Sequence, residues 1–456
     1  MTPGARIQAA IELLTEIEAG RGAAADDVVG NYFRRHRFAG AKDRGAISQH
    51  IYAVLRHRAS LDWWIERVGQ GRVAPDARHR LFAALLLVEE WTPEEIDKAC
   101  DGDRFRPAPL SPYEAQLVER LVKRTIDHPE MPAPVRYNFP DWLEPYLREV
   151  FDGGALGPEM DALNGNAPLD LRANVLKTDR DGARRALQQE GVRTEPTRLS
   201  PLGLRVRERI PLATLDTFRN GLVEVQDEGS QLAALLAGAQ PGMRVVDFCA
   251  GAGGKTLALA AGMANRGHVV ACDVSERRLE RSAQRLRRAG ISNVQRRVLS
   301  GERDKWVKRH AGTFDRVFVD APCTGTGTWR RNPDAKWRLT PTDLEELTAL
   351  QASILDSASR LAKAGGRVVY VTCSLLREED EAQVDRFLAT HPQFRLVPLR
   401  DAWRDALGED AEPPSSVDGD MLRLTPARHG TDGFFAAVLE RRANDAAAPP
   451  PSGEPD

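Results

Sequence analysis

The sequence is poor in cysteine, carries almost no net charge and has no long apolar run. Cysteine occurs five times in 456 residues, at positions 100, 249, 272, 323 and 373. None of them forms a C-x-x-C pair, which argues against a zinc site or a dithiol redox motif, and no metal is expected. An odd number of scattered thiols suits a cytosolic chain whose cysteines stay free. Lysine and arginine total 64 against 66 acids, a formal charge of −2, so bulk charge does not announce a nucleic-acid binder. The longest unbroken apolar stretch, Leu81–Val88, is far short of the roughly 20 residues that span a bilayer. The first residues carry acids at helical spacing and no apolar block before a small-residue cleavage site. We therefore expect no signal peptide, no membrane contact and a cytoplasmic location.

What is present suits a folded globular protein, with 42% apolar and 29% charged residues excluding a largely disordered chain. At about 150 residues per domain, the length suggests about three domains. Charge is unevenly spread. Residues 276–309 hold twelve bases against four acids, whereas 401–420 is acidic. Such a basic stretch is what a phosphate backbone would feel, although a solvated helix face explains it equally well.

Residues 1–140 read as helices. Ile7, Ile11, Leu14 and Ile17 recur at helical spacing, as do Ile47, Ile51, Val54 and Leu55. Thr92–Glu95 and Ser111–Glu114 are capping boxes with proline at the first helical position. Glycine, proline and asparagine over 151–168 suggest a linker. A small α+β unit follows, with strands over Leu169–Leu176, Leu204–Val206 and Leu222–Val225 and a helix over Arg180–Gln189. From Gln226 strands alternate with helices: strands at Met243–Phe248, His268–Cys272, Arg316–Val319, Arg367–Val371 and finally Gly433–Leu439, and helices at Glu276–Arg288 and Pro341–Ala364, the latter ended by Gly365. This alternation predicts an α/β, doubly wound, Rossmann-like parallel sheet over 226–442, with its ligand at the carboxyl ends of the strands. The tail 443–456, mostly alanine and proline, is expected to be disordered.

Three motifs carry chemistry. In Asp247–Thr256 (DFCAGAGGKT) a strand runs into a glycine-rich turn and then a helix, so Cys249, Ala250, Gly251, Ala252, Gly253, Gly254 and Lys255 are candidate cofactor contacts. A P-loop would need glycine at 249, where Cys249 stands, and a dinucleotide fingerprint would need it at 256, where Thr256 stands. An S-adenosylmethionine site remains. Asp273, at the end of the next strand, could accept from ribose hydroxyls, but nicotinamide enzymes use the same acid. The second motif, Asp320–Asp334 (DAPCTGTGTWRRNPD), puts Pro-Cys where enzymes that methylate exocyclic amines usually carry Pro-Pro-aromatic. The third, Val371–Asp380 (VTCSLLREED), puts a second thiol, Cys373, at the end of the following strand. Trp329, Arg330, Arg331, Lys336, Trp337 and Arg338 interleave aromatics with bases, a pattern that can stack on splayed bases and neutralise phosphates, or simply pack.

These motifs, in this order and with DGFFAAVL at Asp432–Leu439, make the chain similar to the RsmB/Sun-type RNA 5-methylcytosine methyltransferases. The resemblance is strong over about Asn220–Arg441, while residues 1–140 resemble the NusB-like helical domain of the ribosomal-RNA members and 141–225 the family's small RNA-binding segment. It implies S-adenosylmethionine as cofactor, RNA as partner and small-subunit ribosomal RNA as the target; we expect a monomer with no obligate protein partner. The alternatives are a tRNA enzyme or a non-catalytic ribosome-assembly factor.

Carbon 5 of cytosine is a poor nucleophile until a thiolate adds to carbon 6. The resemblance gives that attack to Cys373, contact with ring nitrogen 3 to Asp320, and help in releasing the adduct to Cys323. A DNA-type arrangement would instead make Cys323 the nucleophile. Cys100 and Cys272 read as buried hydrophobes and Cys249 as an unreactive pocket wall. The aspartate that the family carries after the third strand is missing from register, leaving Ser300 or Glu302 in its place.

Overall fold

The computed structural model describes residues 1–20, 23–70, 74–208, 210–414 and 419–443; apart from Ala443, the tail expected to be disordered lies outside the described residues. The chain divides into two compact units, one of residues 1–166 with 328–341, the other of 167–327 with the chain from Thr342 onward. Among the described residues, no helix is long and apolar enough to cross a membrane.

The first unit is helical, with its main helices at Pro3–Ala19, Ala25–Arg35, Ala41–Gly69, Ala77–Leu87, Pro93–Ala99 and Pro112–Leu121. Ile7, Leu14 and Ile17 of the first helix meet Ile47, Ile51, Val54 and Leu55 of the third and Leu81, Phe82 and Leu85 of the fourth in one buried core. Burial of each such side chain contributes about 1.5–3 kcal/mol, so this core, rather than helix propensity, holds the unit together. Both capping boxes form: the side chains of Thr92 and Ser111 accept from the amides of Glu95 and Glu114, whose carboxylates reach back. The expected linker at 151–168 instead contains a helix, Leu156–Asn164. Leu156, Met160 and Leu163 lie on one face of it and are buried, so its apolar stripe overrides the glycine signal ahead of it.

Residues 328–341, which include the second half of the Cys323 motif, belong to this helical unit. Trp329, Arg330 and Lys336 are buried. Lys336 Nζ donates to Arg56 O (3.2 Å) and Asn164 Oδ1 (2.7 Å), Trp337 Nε1 donates to Leu55 O (2.7 Å), and the Ala25 amide donates to Asp334 Oδ2 (3.1 Å). Burial of Trp329, Arg330 and Lys336 favours the packing alternative for these three side chains. The catalytic domain expected over 226–442 is interrupted by the same segment.

The second unit holds two sheets. The smaller consists of β1 (Leu169–Ala173), β2 (Thr194–Pro196), β3 (Gly203–Val206) and β4 (Val223–Val225), antiparallel in the order β2-β3-β1-β4, with the helix Arg180–Gln189 packed on it through Ala183 and Leu187. The larger consists of β5 (Arg244–Asp247), β6 (His268–Asp273), β7 (Val294–Val298), β8 (Phe314–Asp320), β9 (Ala362–Thr372), β10 (Phe394–Val397), β11 (Leu422–Leu424) and β12 (Phe434–Arg441). Its order is β10-β12-β9-β8-β5-β6-β7, with β11 beside β12. The strands β5 to β9 run parallel, and β12 joins β9 antiparallel.

Successive side chains of these strands enter opposite cores, as a pleated sheet covered on both faces requires: Val246, Val317 and Val368 lie in one, Val245, Phe318 and Val369 in the other. The helix expected to run to Ala364 ends at Ser359. Gly365, with φ +71°, lies inside β9, because Ala362 already pairs with Phe314 of β8.

Candidate active site

The chain goes from β5 to β6 and β7 on one side and then returns to β8 on the other, so the order of the sheet reverses between β5 and β8. A crevice at the carboxyl ends of strands is the usual ligand position at such a reversal. The first motif, the Asp320–Gly327 part of the second and the Cys373 end of the third follow β5, β8 and β9 there.

After β5 the chain turns through Gly251 (φ +55°) and Gly253 (φ +81°) before the helix Gly254–Gly262 begins. A Cβ on Gly253 would lie 2.8 Å from the Ser282 Cβ, so glycine is required by contact as well as by conformation. The turn is tied to the neighbouring strand. Ala250 N–H donates to Cys272 O (2.8 Å) and Gly251 N–H to Asp273 Oδ2 (2.8 Å), while Ser275 N–H donates to Asp273 Oδ1 (2.7 Å). Ala252 O accepts from Arg285 (2.8 Å) and Gly254 O from Arg172 (3.3 Å). Asp273 thus fixes the loop and keeps lone pairs for further donors.

Beneath the turn Asp247 is buried. Thr256 Oγ1 donates to its Oδ2 (2.6 Å), and its Oδ1 has no hydrogen-bond partner among the described residues. Burial pushes the Asp247 carboxyl up to about 7, against the pull of the Thr256 hydrogen bond. The glycine cradle, the Asp273 carboxylate and this orphaned acid oxygen fit a cofactor with ribose hydroxyls and a positively charged end.

Lys255, in the first turn of the helix, donates from Nζ to Asp320 Oδ2 (2.6 Å) at the end of β8. Burial alone would lower the ammonium's pKa, but Asp320 and the neighbouring Cys373 and Asp247 raise it on balance. Cys323, three residues beyond β8, and Cys373, the first residue beyond β9, bring their Sγ atoms to 3.4 Å. The hydrogen bond with Cys373, then burial, hold the Cys323 thiol well above its ordinary pKa. Burial and the nearby carboxylates do the same to Cys249. Cys272 and Cys100 are buried, and burial pushes Cys100 up to about 11. Beyond β7, Ser300 donates from N and Oγ to Asp304 Oδ2 (both 2.9 Å), and Glu302 Oε1 accepts from Ser353 (3.0 Å).

Sequence reasoning assigned no role to Glu379 and Gln351. Glu379 Oε1 accepts from the Thr324 amide (2.8 Å) and from Gln351 Nε2 (2.9 Å), and Gln351 Nε2 also donates to Pro322 O (2.9 Å). The only sequence hint was the place of Glu379 within the Cys373 motif.

The family described as 16S rRNA methyltransferase RsmB/F matches residues 234–440, and the RsmF/B-like ferredoxin-like domain matches 139–213. The chain is 31% identical to the probable ribosomal RNA small subunit methyltransferase B of Synechocystis, over 88% of this chain and 91% of that one. It is 30% identical to ribosomal RNA small subunit methyltransferase B of Salmonella arizonae, again over 88% and 91%. Among solved structures, that of PH0851 aligns with a TM-score of 0.76 at 27% identity, covering 96% of this chain and 99% of the other. That of NSun6 from Pyrococcus horikoshii aligns with a TM-score of 0.58 at 20% identity, over 66% and 98%, and shows the fold alone.

Proposed function

Because the chain belongs to the RsmB/F family, and is therefore an S-adenosylmethionine-dependent RNA methyltransferase, we propose that it methylates carbon 5 of a cytosine in small-subunit ribosomal RNA through a covalent cysteine adduct. The observation that carries this is the 3.4 Å approach of Cys323 and Cys373 on the rim that also holds Lys255 and Asp320. Methylation of an exocyclic amine needs no thiol; methylation of a ring carbon does.

The glycine turn from Cys249 to Lys255 and Asp273 would hold the cofactor, which supplies an electrophilic methyl group. Cys373 adds its sulfur to carbon 6 of the target cytosine, and the electron pair displaced from the ring double bond makes carbon 5 nucleophilic. Asp320, oriented by Lys255, faces ring nitrogen 3, protonating it or accepting a hydrogen bond from its proton as the sulfur adds, so that the ring carries no net negative charge. After methyl transfer a base removes the proton from carbon 5, the carbon–sulfur bond breaks and Cys373 leaves as thiolate. Cys323, with its sulfur 3.4 Å from that of Cys373, would assist this collapse, the role that the family resemblance implies. The segment 141–225 would serve RNA binding beside the NusB-like domain of residues 1–140, and the monomer would act in the cytoplasm.

Mapping 5-methylcytosine in total RNA from cells with and without the protein tests the proposal. One small-subunit ribosomal cytosine should lose its methyl group. Loss from tRNA alone, or no loss, would overturn the target.

A further inference from the structure

Cys323 lies on a turn, not on an element, yet its sulfur is placed against that of Cys373. Something must hold the turn. Thr324, the next residue, gives both of its donors to Glu379: its amide to Oε1 at 2.8 Å and its hydroxyl to Oε2. On the other side of Cys323, the Pro322 carbonyl accepts from Gln351 Nε2 (2.9 Å), and the same nitrogen donates to Glu379 Oε1 (2.9 Å). The two peptide groups flanking the thiol therefore converge on one carboxylate.

The backbone of Glu379 is itself anchored to β9, the strand that Cys373 follows. Glu379 is fully buried, its amide donates to Leu376 O (3.1 Å), and its carbonyl accepts from the Tyr370 hydroxyl (2.6 Å) in β9. A second link runs alongside, from Thr324 Oγ1 to Ser374 Oγ at 3.4 Å. A buried carboxylate with several donors is costly to desolvate and expensive to leave half-satisfied, so it persists where its geometry is used.

We propose that Glu379 is the positioning residue for Cys323, fixing the turn 322–324 to the end of β9 so that the two thiols act on one adduct. It touches neither substrate nor cofactor and acts through Thr324 and Gln351. The inference rests on the late role given to Cys323 above, and its test separates the two. Misplacing a reacting group by about 1 Å can cost on the order of 10²-fold in rate.

The experiment compares Glu379→Ala, Glu379→Gln, Thr324→Val and Cys323→Ala in the full chain, with melting curves to confirm folding. Single-turnover methyl transfer from labelled cofactor to ribosomal RNA is measured beside adduct release on denaturing gels. Glu379→Ala should keep the first methyl transfer within a few-fold of wild type but release product at least about tenfold more slowly, trapping adduct as Cys323→Ala does. A general structural defect would slow both steps together. Glutamine can still accept from Thr324 N–H and Gln351, while the Thr324 hydroxyl turns to accept from its amide, so Glu379→Gln should restore release. Thr324→Val, which keeps the backbone bond, should fall between.

Closure of the Cys323–Cys373 disulfide by diamide, in protein without RNA, gives a readout that does not depend on the roles of the thiols. The two thiol hydrogens pass to the nitrogen–nitrogen double bond as the S–S bond forms. Closure should slow at least about tenfold in Glu379→Ala and recover in Glu379→Gln. If Cys323→Ala traps no adduct, the late role of Cys323 fails, and the closure rate alone decides the positioning. A wild-type closure rate in folded Glu379→Ala overturns the proposal, as does wild-type release there while Cys323→Ala traps adduct.

Discussion

The Lys255 ammonium donates to Asp320 Oδ2 across 2.6 Å, joining the helix that opens after the glycine turn to the carboxyl end of β8. The pair links the loop assigned to the cofactor with the acid assigned to the base. Lys255→Met should leave Asp320 without its cation and lower the single-turnover methylation rate by about 10²-fold, the scale of one positioned acid–base group. Because the Lys255 pKa is raised, the ammonium stays charged through neutral pH, and no rise or fall of the rate between pH 6 and 9 should trace to it. A quench-flow time course over that pH range checks both statements.

The two thiols separate on a denaturing gel. Cys373→Ala should methylate nothing and leave no covalent protein–RNA species. Cys323→Ala should methylate once and accumulate an adduct that disappears in the double mutant. Adduct in Cys373→Ala alone would reverse the two roles.

Asp273 accepts from Gly251 and Ser275 with its two oxygens, so Asp273→Ala removes a ribose acceptor and also unties the turn. S-adenosylmethionine affinity should fall about 10- to 100-fold, equivalent to about 1.4–2.8 kcal/mol. Titration calorimetry reads this directly, and an unchanged affinity would take Asp273 out of the site.

Asp247 carries a stability signature. Its carboxyl is near 7 in the folded protein against 3.8 ordinarily, so the folded state binds the proton more tightly than the unfolded one. The resulting stabilisation is full below about pH 4 and is lost as pH rises through 7, at most about 4 kcal/mol. Asp247→Asn should flatten that part of the curve of melting temperature against pH. Parallel curves for the two proteins between pH 4 and 7 would remove Asp247 as the source.

Much of the site could be read from the chain because its signals are local. A glycine required at 253 by its left-handed backbone, an acid ending β6 and cysteines just past two strands are each fixed by the few residues around them. The helix Arg180–Gln189 is legible for the same reason, since the capping Asp179 directly precedes it and its two buried residues, Ala183 and Leu187, lie one turn apart. Other features depend on partners far away in sequence. Nothing near Gly365 reveals that Ala362 pairs with Phe314, and nothing near Trp337 reveals that its indole donates to Leu55. Glu379 sits in a charged run, Arg377–Asp380, and what makes it an interior group is contact with Thr324 and Gln351, well before it in the chain.

The placement of residues 328–341 has a consequence for how the protein can be cut or recombined. The polypeptide passes from one unit to the other three times, at 166/167, 327/328 and 341/342. The helical unit is therefore not an appendage that a single deletion removes. A shortened chain starting at Ala167 would keep Lys336 and Trp337 but lose Leu55, Arg56 and Asn164, leaving an ammonium and an indole without their hydrogen-bond acceptors just downstream of Cys323. Graft experiments that exchange the helical unit between relatives must carry this short internal segment with it, or the grafted unit arrives with a hole where the segment was.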